Sequence, residues 1–175
     1  ADIIVPSPVI SPETRLLKAA SARQIPVWSE VEVAVHVTDA EFIGITGTNG
    51  KTTTTVLTGE IMKATGRQTV VGGNIGFGLS EMAEDLPSSA VVVAELSSFQ
   101  LELTSSLKAK SAVILNLTPD HLDRHHTMEA YGEAKKRIFL NQDKNDYAIL
   151  NYDDSAVRAM ASDLSGTVLY ISVHG

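Results

Sequence analysis

Short runs rich in β-branched apolar residues alternate with longer helical patterns along most of this 175-residue chain. These runs read "EFIGIT", "QTVVGG", "AVVVAEL", "SAVILNL", "DYAILN" and "TVLYIS". Apolar runs without polar alternation are typical of strands that are buried on both faces. Strands that alternate with helices favour a mostly parallel sheet. The sequence therefore predicts an α/β fold with helices on both faces of the sheet.

The segment before Asp39 has a weaker pattern. Residues 2–5 predict a short strand that ends at Pro6, and a helix is expected from Ser11 as its N-cap, with Pro12 at the first helical position. "IPVWSEVEVAVH" predicts a short strand followed by an amphipathic segment. Because the chain begins with Ala1 rather than Met, we interpret it as a piece of a longer protein.

Composition excludes several classes of protein. With 14 basic and 21 acidic residues, the net charge is −7, so the chain lacks the basic face that nucleic-acid binding needs. It has no cysteine, which excludes disulfides and thiolate metal sites. No signal peptide and no apolar run of about 18 residues is apparent, so membrane insertion is not expected. We expect a soluble cytoplasmic protein.

Parallel sheets collect ligands beyond the carboxyl ends of their strands, so candidate site residues belong where the predicted strands stop. The first such turn reads "GITGTNGKTTTT". Glycines at 47 and 50 let backbone N–H groups surround phosphate oxygens, Lys51 reaches the outer phosphates, and the Thr52 hydroxyl can bind Mg²⁺. The usual phosphate loop has another glycine where this chain has Ile45. The pattern still predicts nucleotide binding.

A carboxylate, Glu95, ends the apolar run Ala90–Ala94. A lone acid at a strand end usually reaches solvent, but beside a phosphate loop it becomes a natural ligand for Mg²⁺. We favour the metal role. Ser97 and Ser98 follow, and position alone leaves open whether they bind a ligand or cap a turn.

The run "LNLTPDHLDRHH" places several polar side chains after another predicted strand. His121 comes directly after the strand-ending turn, where it could reach the pocket of Glu95 and serve a second metal. We expect His125 and His126 to belong to a polar loop. Lys135 and Lys136 follow on a predicted helix, and composition alone favours a solvated position for both.

Five motifs in order, "GITGTNGKTT", "GGNIG", "AELSSFQLE", "LNLTPDHLDRH" and "YGEAKKRI", resemble the Mur ligase family of peptidoglycan-building amide ligases. The resemblance covers at least residues 42 to 155. It also accounts for the loop without a glycine at Ile45, since the family uses a shorter Gly-Thr-x-Gly-Lys form. "GGNIG" and "ELSSFQLE" resemble the branch that joins D-glutamate to UDP-N-acetylmuramoyl-L-alanine.

The resemblance implies ATP and Mg²⁺ as cofactors and assigns roles to individual residues. The first Mg²⁺ would lie on Thr52 and Glu95, and the second on His121 and on Lys135, which would carry a carbamate. Lys51, Lys135 and His121 would serve the chemistry. Asn74 and Ser97, with His121, would contact the UDP-linked substrate. The residues that would hold the ATP phosphates are Gly47, Thr48, Asn49, Gly50, Lys51, Thr52 and Thr53.

The resemblance also implies a domain organisation. Residues 1–38 would be the tail of an N-terminal domain for the UDP-linked substrate, and residues 39–175 an incomplete central ATPase domain of the P-loop type. The amino-acid-binding domain would be absent, so we expect no ligation by this piece alone. The parent would be a monomer active in cell-wall biogenesis, and hence in cell shape and division. A sister ligase that adds another amino acid, or a nucleotide-dependent binding module, are the alternatives.

Overall fold

A computed structural model describes residues 1–174. Its strands are β1 (Glu41–Thr46), β2 (Thr69–Gly73), β3 (Val91–Glu95), β4 (Ala109–Ile114), β5 (Tyr147–Asn151) and β6 (Thr167–Ile171). They form one six-stranded sheet in the order β2-β3-β1-β4-β5-β6, and every neighbouring pair is parallel. The α/β prediction is confirmed, and the sheet is wholly parallel rather than mostly so.

The helices occupy the connections between strands and the segment before β1. They are α1 (Arg15–Ala22), α2 (Glu30–Val37), α3 (Lys51–Ala64), α4 (Leu79–Ala83), α5 (Ser98–Glu102), α6 (Leu122–His125), α7 (Met128–Lys136) and α8 (Ser155–Ala159). Short 3-10 turns follow α7 and α8. Within residues 1–174, no helix combines the length and the apolar character needed to cross a bilayer.

Alternate residues of the strands pack into two separate hydrophobic cores. On β3, Val92 and Ala94 face the larger core, which also contains residues of α2, α4, α7 and α8. Val91 and Val93 face the smaller core, against which Met62 of α3 packs. Every residue of β3 is buried, as expected for a strand covered on both faces. The helices thus lie on both faces of the sheet, as predicted.

The predictions for the first 14 residues were wrong in detail. Residues 2–5 form no strand, and only an isolated parallel bridge joins Ile4 to Val27. A strand needs a partner along its length, and the flanking prolines remove backbone donors. Helix α1 begins at Arg15 after Thr14, whereas Ser11 accepts a hydrogen bond from the Glu13 N–H at 3.2 Å. Ser11 therefore stabilises a turn that precedes the helix.

A buried carboxylate joins α2 to the loop before β4. Ser29 caps α2 by accepting a hydrogen bond from the Glu32 N–H. The Glu32 side chain, 1% exposed, accepts hydrogen bonds from the backbone N–H groups of Ser105 and Ser106 and from the Ser105 hydroxyl. Burial raises the pKa of Glu32, but the hydrogen bonds together outweigh it and hold this pKa below its usual value.

Part of the α3 face of the sheet is uncovered. Strand β6 is at the edge of the sheet. Its Leu169 and Ile171 are 46% and 44% exposed. Beside them a groove of about 320 Å³ is lined by apolar residues of β1, β4 and β5, among them Ile43 and Ile149. The sheet thus presents both free backbone groups and apolar side chains at this edge.

Candidate functional site

The strand order brings the ends of four predicted strands to one edge of the sheet. Strands β2, β3, β1 and β4 are neighbours, and all point in the same direction. Their last residues are Gly73, Glu95, Thr46 and Ile114. The candidate residues that follow or end these strands therefore share the carboxyl edge, where a parallel sheet binds ligands.

The loop between β1 and α3 has the geometry of an anion-binding turn. Gly47 and Gly50 have φ values of 146° and 84°, which side chains rarely allow. Helix α3 begins at Lys51, whose Nζ donates to the carbonyl oxygens of Gly47 at 3.1 Å and Thr48 at 2.8 Å. Backbone N–H groups at the helix N-terminus favour a bound phosphate.

A cavity of about 330 Å³ adjoins this loop. Its lining residues are Thr48, Asn49, Gly50, Lys51, Thr52, Thr53, Asn74 and Glu95. Every one of them is a sequence-predicted site residue. The structure therefore brings together the predicted phosphate loop, the predicted metal-binding carboxylate and the asparagine of "GGNIG".

Asn116 holds the loop in shape, and sequence reasoning missed it. Its Oδ1 accepts hydrogen bonds from the N–H groups of Thr48 at 3.1 Å and Asn49 at 2.8 Å. Its Nδ2 donates to the Asn49 carbonyl oxygen at 3.0 Å. The signal available was an amide residue two positions beyond the end of β4, next to the first predicted turn.

Glu95 is oriented by two donors from different turns. The Thr52 hydroxyl donates to its Oε2 at 2.9 Å, and Asn74 Nδ2 donates to its Oε1 at 2.9 Å. Gly73 permits this approach, because it has a φ of +107° and a Cβ there would lie 2.3 Å from the Glu95 carbonyl oxygen. Glu95 itself is 1% exposed. The carboxylate is thus held in one orientation at the cavity wall.

This donor set fits Mg²⁺. The ion takes oxygen ligands and is usually held by one or two protein carboxylates together with water and phosphate oxygens. Glu95 and Thr52 would supply a carboxylate and a hydroxyl. Residues 1–174 contain no group of three or more acidic or histidine side chains that could hold a metal. The site therefore suits an ion that phosphates help to bind, rather than one held by protein alone.

Lys135 is buried beneath the phosphate loop, contrary to the expectation from composition. It is 2% exposed, and its Nζ donates to the carbonyl oxygen of Gly47 at 2.8 Å and to the hydroxyl of Thr46 at 3.3 Å. The Nζ also lies 4.7 Å from the centre of the Tyr131 ring. Burial, and secondly the charge of Lys51, lowers the pKa of Lys135 to about 7.

Lys136 is partly buried rather than fully solvated, with a side chain 22% exposed, and it is ion-paired at the surface. Its Nζ pairs with Glu133 at 2.8 Å and with Asp163 at 3.0 Å. The hydrogen bond to Glu133 is the main reason that the pKa of Lys136 is raised. Burial thus separates two adjacent lysines that composition alone does not distinguish.

His121 lies at the rim of this edge. It precedes α6 with a φ of 52°, and its side chain is 48% exposed. Its ring centre lies 4.8 Å from that of Phe99 and 6.5 Å from that of Tyr131. No hydrogen bond or ion pair in residues 1–174 joins it to Glu95. The second-metal role stays a prediction.

The structure corrects the interpretation of His125 and gives Ser97 a capping role. His125 was expected in a polar loop, but it is 6% exposed, and its Nε2 lies 2.9 Å from the Ser98 hydroxyl. Burial lowers the pKa of His125 despite the nearby Glu102. Ser97 forms a capping box with Gln100 at the start of α5. The structure therefore shows Ser97 as a cap, and its substrate contact stays a prediction.

Comparison with known proteins identifies relatives that match most of this chain. Residues 45–175 match the family model of the Mur ligase middle domain. The chain is 51% identical over 172 residues to the UDP-N-acetylmuramoylalanine--D-glutamate ligase of Desulfitobacterium hafniense (strain Y51), covering 98% of this chain and 38% of that protein. The ligase of the same name from Geobacter sp. (strain M21) has the same identity and coverage. The chain thus spans about 38% of the length of these relatives.

Solved structures share the fold. A UDP-N-acetylmuramoyl-L-alanyl-D-glutamate--2,6-diaminopimelate ligase aligns with a TM-score of 0.66 and 25% identity, covering 99% of this chain and 46% of that chain. MurF ligase from Thermotoga maritima in complex with ADP aligns with a TM-score of 0.66 and 19% identity, covering 100% of this chain and 48% of that chain. The match to the family model spans most of the chain, and the chain therefore belongs to the Mur ligase family.

Proposed function

We propose that this chain is the nucleotide-binding part of an ATP-dependent amide ligase that joins D-glutamate to UDP-N-acetylmuramoyl-L-alanine. The observation that carries the proposal is the cavity shared by the phosphate loop and Glu95, with Lys135 buried beneath the same loop. The names of the relatives that are 51% identical support the choice of D-glutamate as the incoming amino acid.

The proposal assigns different parts of the chain to different substrates. Residues 1–38 belong to the part that binds the UDP-linked substrate, and residues 39–175 to the ATP-binding part. The site for D-glutamate lies in a third part, outside this chain. The parent enzyme is proposed to be cytoplasmic and monomeric, and the acidic composition supports the absence of a nucleic-acid partner.

The reaction requires two anions to meet. The carboxylate of the substrate's L-alanine attacks the γ-phosphate of ATP, which gives an acyl phosphate and ADP; the amine of D-glutamate then attacks the acyl carbon, and phosphate leaves. Lys51 would place its positive charge on the outer phosphates. Bound Mg²⁺ would supply further positive charge that offsets the repulsion between carboxylate and triphosphate. Glu95 and Thr52 would hold this ion.

Lys135 is proposed to act after reaction with CO₂. A pKa of about 7 leaves much of its amine neutral near neutral pH, and a neutral amine can attack the carbon of CO₂, form an N–C bond and release a proton. The product is an anion that can face cations at this edge of the sheet. Intact mass measured under native conditions with bicarbonate should increase by one CO₂ in the wild type, and Lys135→Ala should abolish the gain. A gain retained in Lys135→Ala and lost in Lys136→Ala would contradict the assignment.

Acceptor-dependent phosphate release tests the proposed reaction. The full-length parent enzyme should release phosphate from ATP when supplied with UDP-N-acetylmuramoyl-L-alanine and D-glutamate. L-lysine and diaminopimelate serve as control acceptors, because sister ligases add other amino acids. Turnover with either control equal to that with D-glutamate would refute the D-glutamate assignment. Phosphate release independent of any acceptor would instead indicate a nucleotide-dependent binding module.

A further inference from the structure

The short helix α6 lies between two residues in strained backbone conformations. His121 and His126 have φ values of 52° and 67°, and neither is glycine. Such conformations strain the backbone and persist where surrounding contacts hold them. The contacts that hold this turn therefore bear on where His121 can lie.

Arg124 makes the widest set of these contacts. Its guanidinium donates to the carbonyl oxygens of Pro8 at 3.1 Å, Val9 at 3.4 Å and Ile10 at 3.5 Å. It also pairs with Glu102 at 2.7 Å, and its side chain is 11% exposed. A planar guanidinium can join several acceptors at once, which a lysine ammonium cannot do in the same geometry. One side chain thus joins the N-terminal segment, α5 and α6.

Phe99 extends this connection to His121. The Arg124 guanidinium carbon lies 4.1 Å from the centre of the Phe99 ring. The His121 ring centre lies 4.8 Å from the same ring. Arg124 and His121 therefore contact the same phenylalanine ring, which links the guanidinium to the imidazole.

Ser98, His125 and Glu102 complete the attachment of the turn to α5. Their order resembles a hydrolytic triad, since His125 Nε2 lies 2.9 Å from Ser98 Oγ and His125 Nδ1 lies 3.3 Å from Glu102 Oε1. A substrate cannot reach it, because Ser98 is 1% and His125 6% exposed. The arrangement is structural and attaches the turn to α5, whereas the hydrogen bonds of Arg124 attach the turn to residues 8–10.

We propose that Arg124 is a positioning residue that couples the N-terminal segment 8–10 to the placement of His121. The second-metal role expected for His121 has meaning only within the proposed ligase function, whereas the coupling itself does not depend on that function. Residues 8–10 lie in the part of the chain assigned to the UDP-linked substrate. Docking of this segment would then favour one position of the His121 ring, and by linkage the ring position would favour docking.

Histidine-ring NMR of the 175-residue chain at one fixed pH tests the coupling without any ligase assay. The His121 ring signal is identified by its absence from the spectrum of His121→Gln, and the Phe99 ring 4.8 Å away makes that signal sensitive to the relative position of the two rings. Arg124→Gln should move or broaden this signal while the chain stays folded by circular dichroism. Arg158→Gln is the matched control, because Arg158 also stacks on an aromatic ring, Tyr152 at 4.7 Å, and donates to a carbonyl oxygen.

Two truncations test the same coupling from the other side. Deletion of residues 1–10 removes the three carbonyl acceptors and should change the His121 signal in the same way as Arg124→Gln. Deletion of residues 1–6 removes the bridge between Ile4 and Val27 but keeps the acceptors, so it should leave the signal unchanged. This pair keeps the proposal testable if Arg124→Gln does not fold.

An unchanged His121 signal in folded Arg124→Gln, or after deletion of residues 1–10, would overturn the proposal. Equal changes after the two truncations would overturn it as well, since the carbonyl acceptors would then not matter. Neither outcome affects the proposed ligase function, which phosphate release tests separately.

Discussion

Lys135 makes the stability of this chain depend on pH in an unusual window. Its folded-state pKa of about 7 is below the ordinary value of 10.5, so between these limits the unfolded chain binds more protons than the folded one. By linkage, the free energy of unfolding rises with pH across this window, by at most about 1.4 kcal/mol per pH unit from this group. Below pH 7 the lysine is charged in both states, so the folded state carries the full free-energy cost of burying the charge.

Denaturant unfolding from pH 7 to pH 10.5 in CO₂-free buffer measures this effect. Lys135→Met should flatten the rise, since it keeps the apolar stem and removes the titrating amine. Lys136→Met is the control and should keep it, because Lys136 is ion-paired and its pKa is raised. Equal slopes for the wild type and Lys135→Met would show that the buried amine does not titrate in this window.

Glu95→Gln tests the carboxylate that lines the cavity. The glutamine is nearly isosteric and can still accept a hydrogen bond from Thr52 or Asn74, so we expect the fold to be kept. Loss of the negative charge removes the main protein ligand offered to Mg²⁺. Titration with a fluorescent ATP analogue should show a Mg²⁺-dependent gain in affinity for the wild type, and at least a tenfold smaller gain for the variant. A gain of the same size in the variant would rule out the metal role.

Individual residues also show which features of the site could be predicted from the sequence and which could not. The phosphate loop and Glu95 could be predicted because a strand end, glycine spacing and residue chemistry coincide there. The burial of Lys135 and His125 could not, since it depends on Gly47 and Ser98, which are distant in sequence. Asn116 was missed for the same reason, because its function is to bind the backbone of a loop 67 residues earlier.

At the scale of elements, the Glu32 carboxylate is the clearest determinant of how α2 packs. It satisfies two backbone N–H groups of the loop at residues 105–106. Glu32 is the buried partner, and hydrogen bonds to a charged group contribute about 1.5 to 3 kcal/mol. Glu32→Gln should therefore lower the free energy of unfolding by an amount in this range, measured by urea denaturation at neutral pH. Glu60→Gln, on the exposed face of α3, is the control and should change it by less than about 0.5 kcal/mol.

The sign of the pH effect gives a second check on Glu32. Its folded-state pKa is below the ordinary value of 4.5, so its contribution is present above pH 4.5 and is lost as pH falls through the folded-state pKa. The stability difference between the wild type and Glu32→Gln should shrink below pH 4.5. A difference that stays constant into acid would mean that the hydrogen-bonded carboxylate has an ordinary pKa.

The six strands of the sheet and α3 were predicted well. They follow from apolar runs, glycine turns and helical periodicity, and they include the half-exposed edge strand β6. The segment 2–5 has the same local composition, yet it pairs only at Ile4, through an isolated bridge to Val27. Local pattern predicts a strand, whereas only long-range pairing forms it.

At the scale of the whole molecule, the open edge at β6 predicts self-association of this chain. Leu169 and Ile171 are exposed there beside unpaired backbone groups, which is the arrangement that favours pairing with another chain. Sedimentation velocity should show a weight-average mass that rises with concentration. Leu169→Lys should reduce this rise, because it places a charge on the edge.

A matched variant separates the edge from general charge effects. Leu57→Lys changes the net charge of −7 by the same single unit at another exposed position, on α3. It should leave association unchanged. Equal reductions by both variants would mean that the β6 edge is not the contact surface.

The parallel arrangement of all six strands also gives the molecule two distinct ends, a carboxyl edge and an amino edge. Every candidate site residue lies at or near the carboxyl edge, while the turns that precede β3 and β5 lie at the amino edge, where Ser88 and Lys144 are exposed. Because the chain contains no cysteine, Ser88→Cys or Lys144→Cys creates a unique thiol for a fluorophore or a surface tether. A molecule attached in this way would present its candidate site to solution, which makes single-molecule measurement of nucleotide binding feasible.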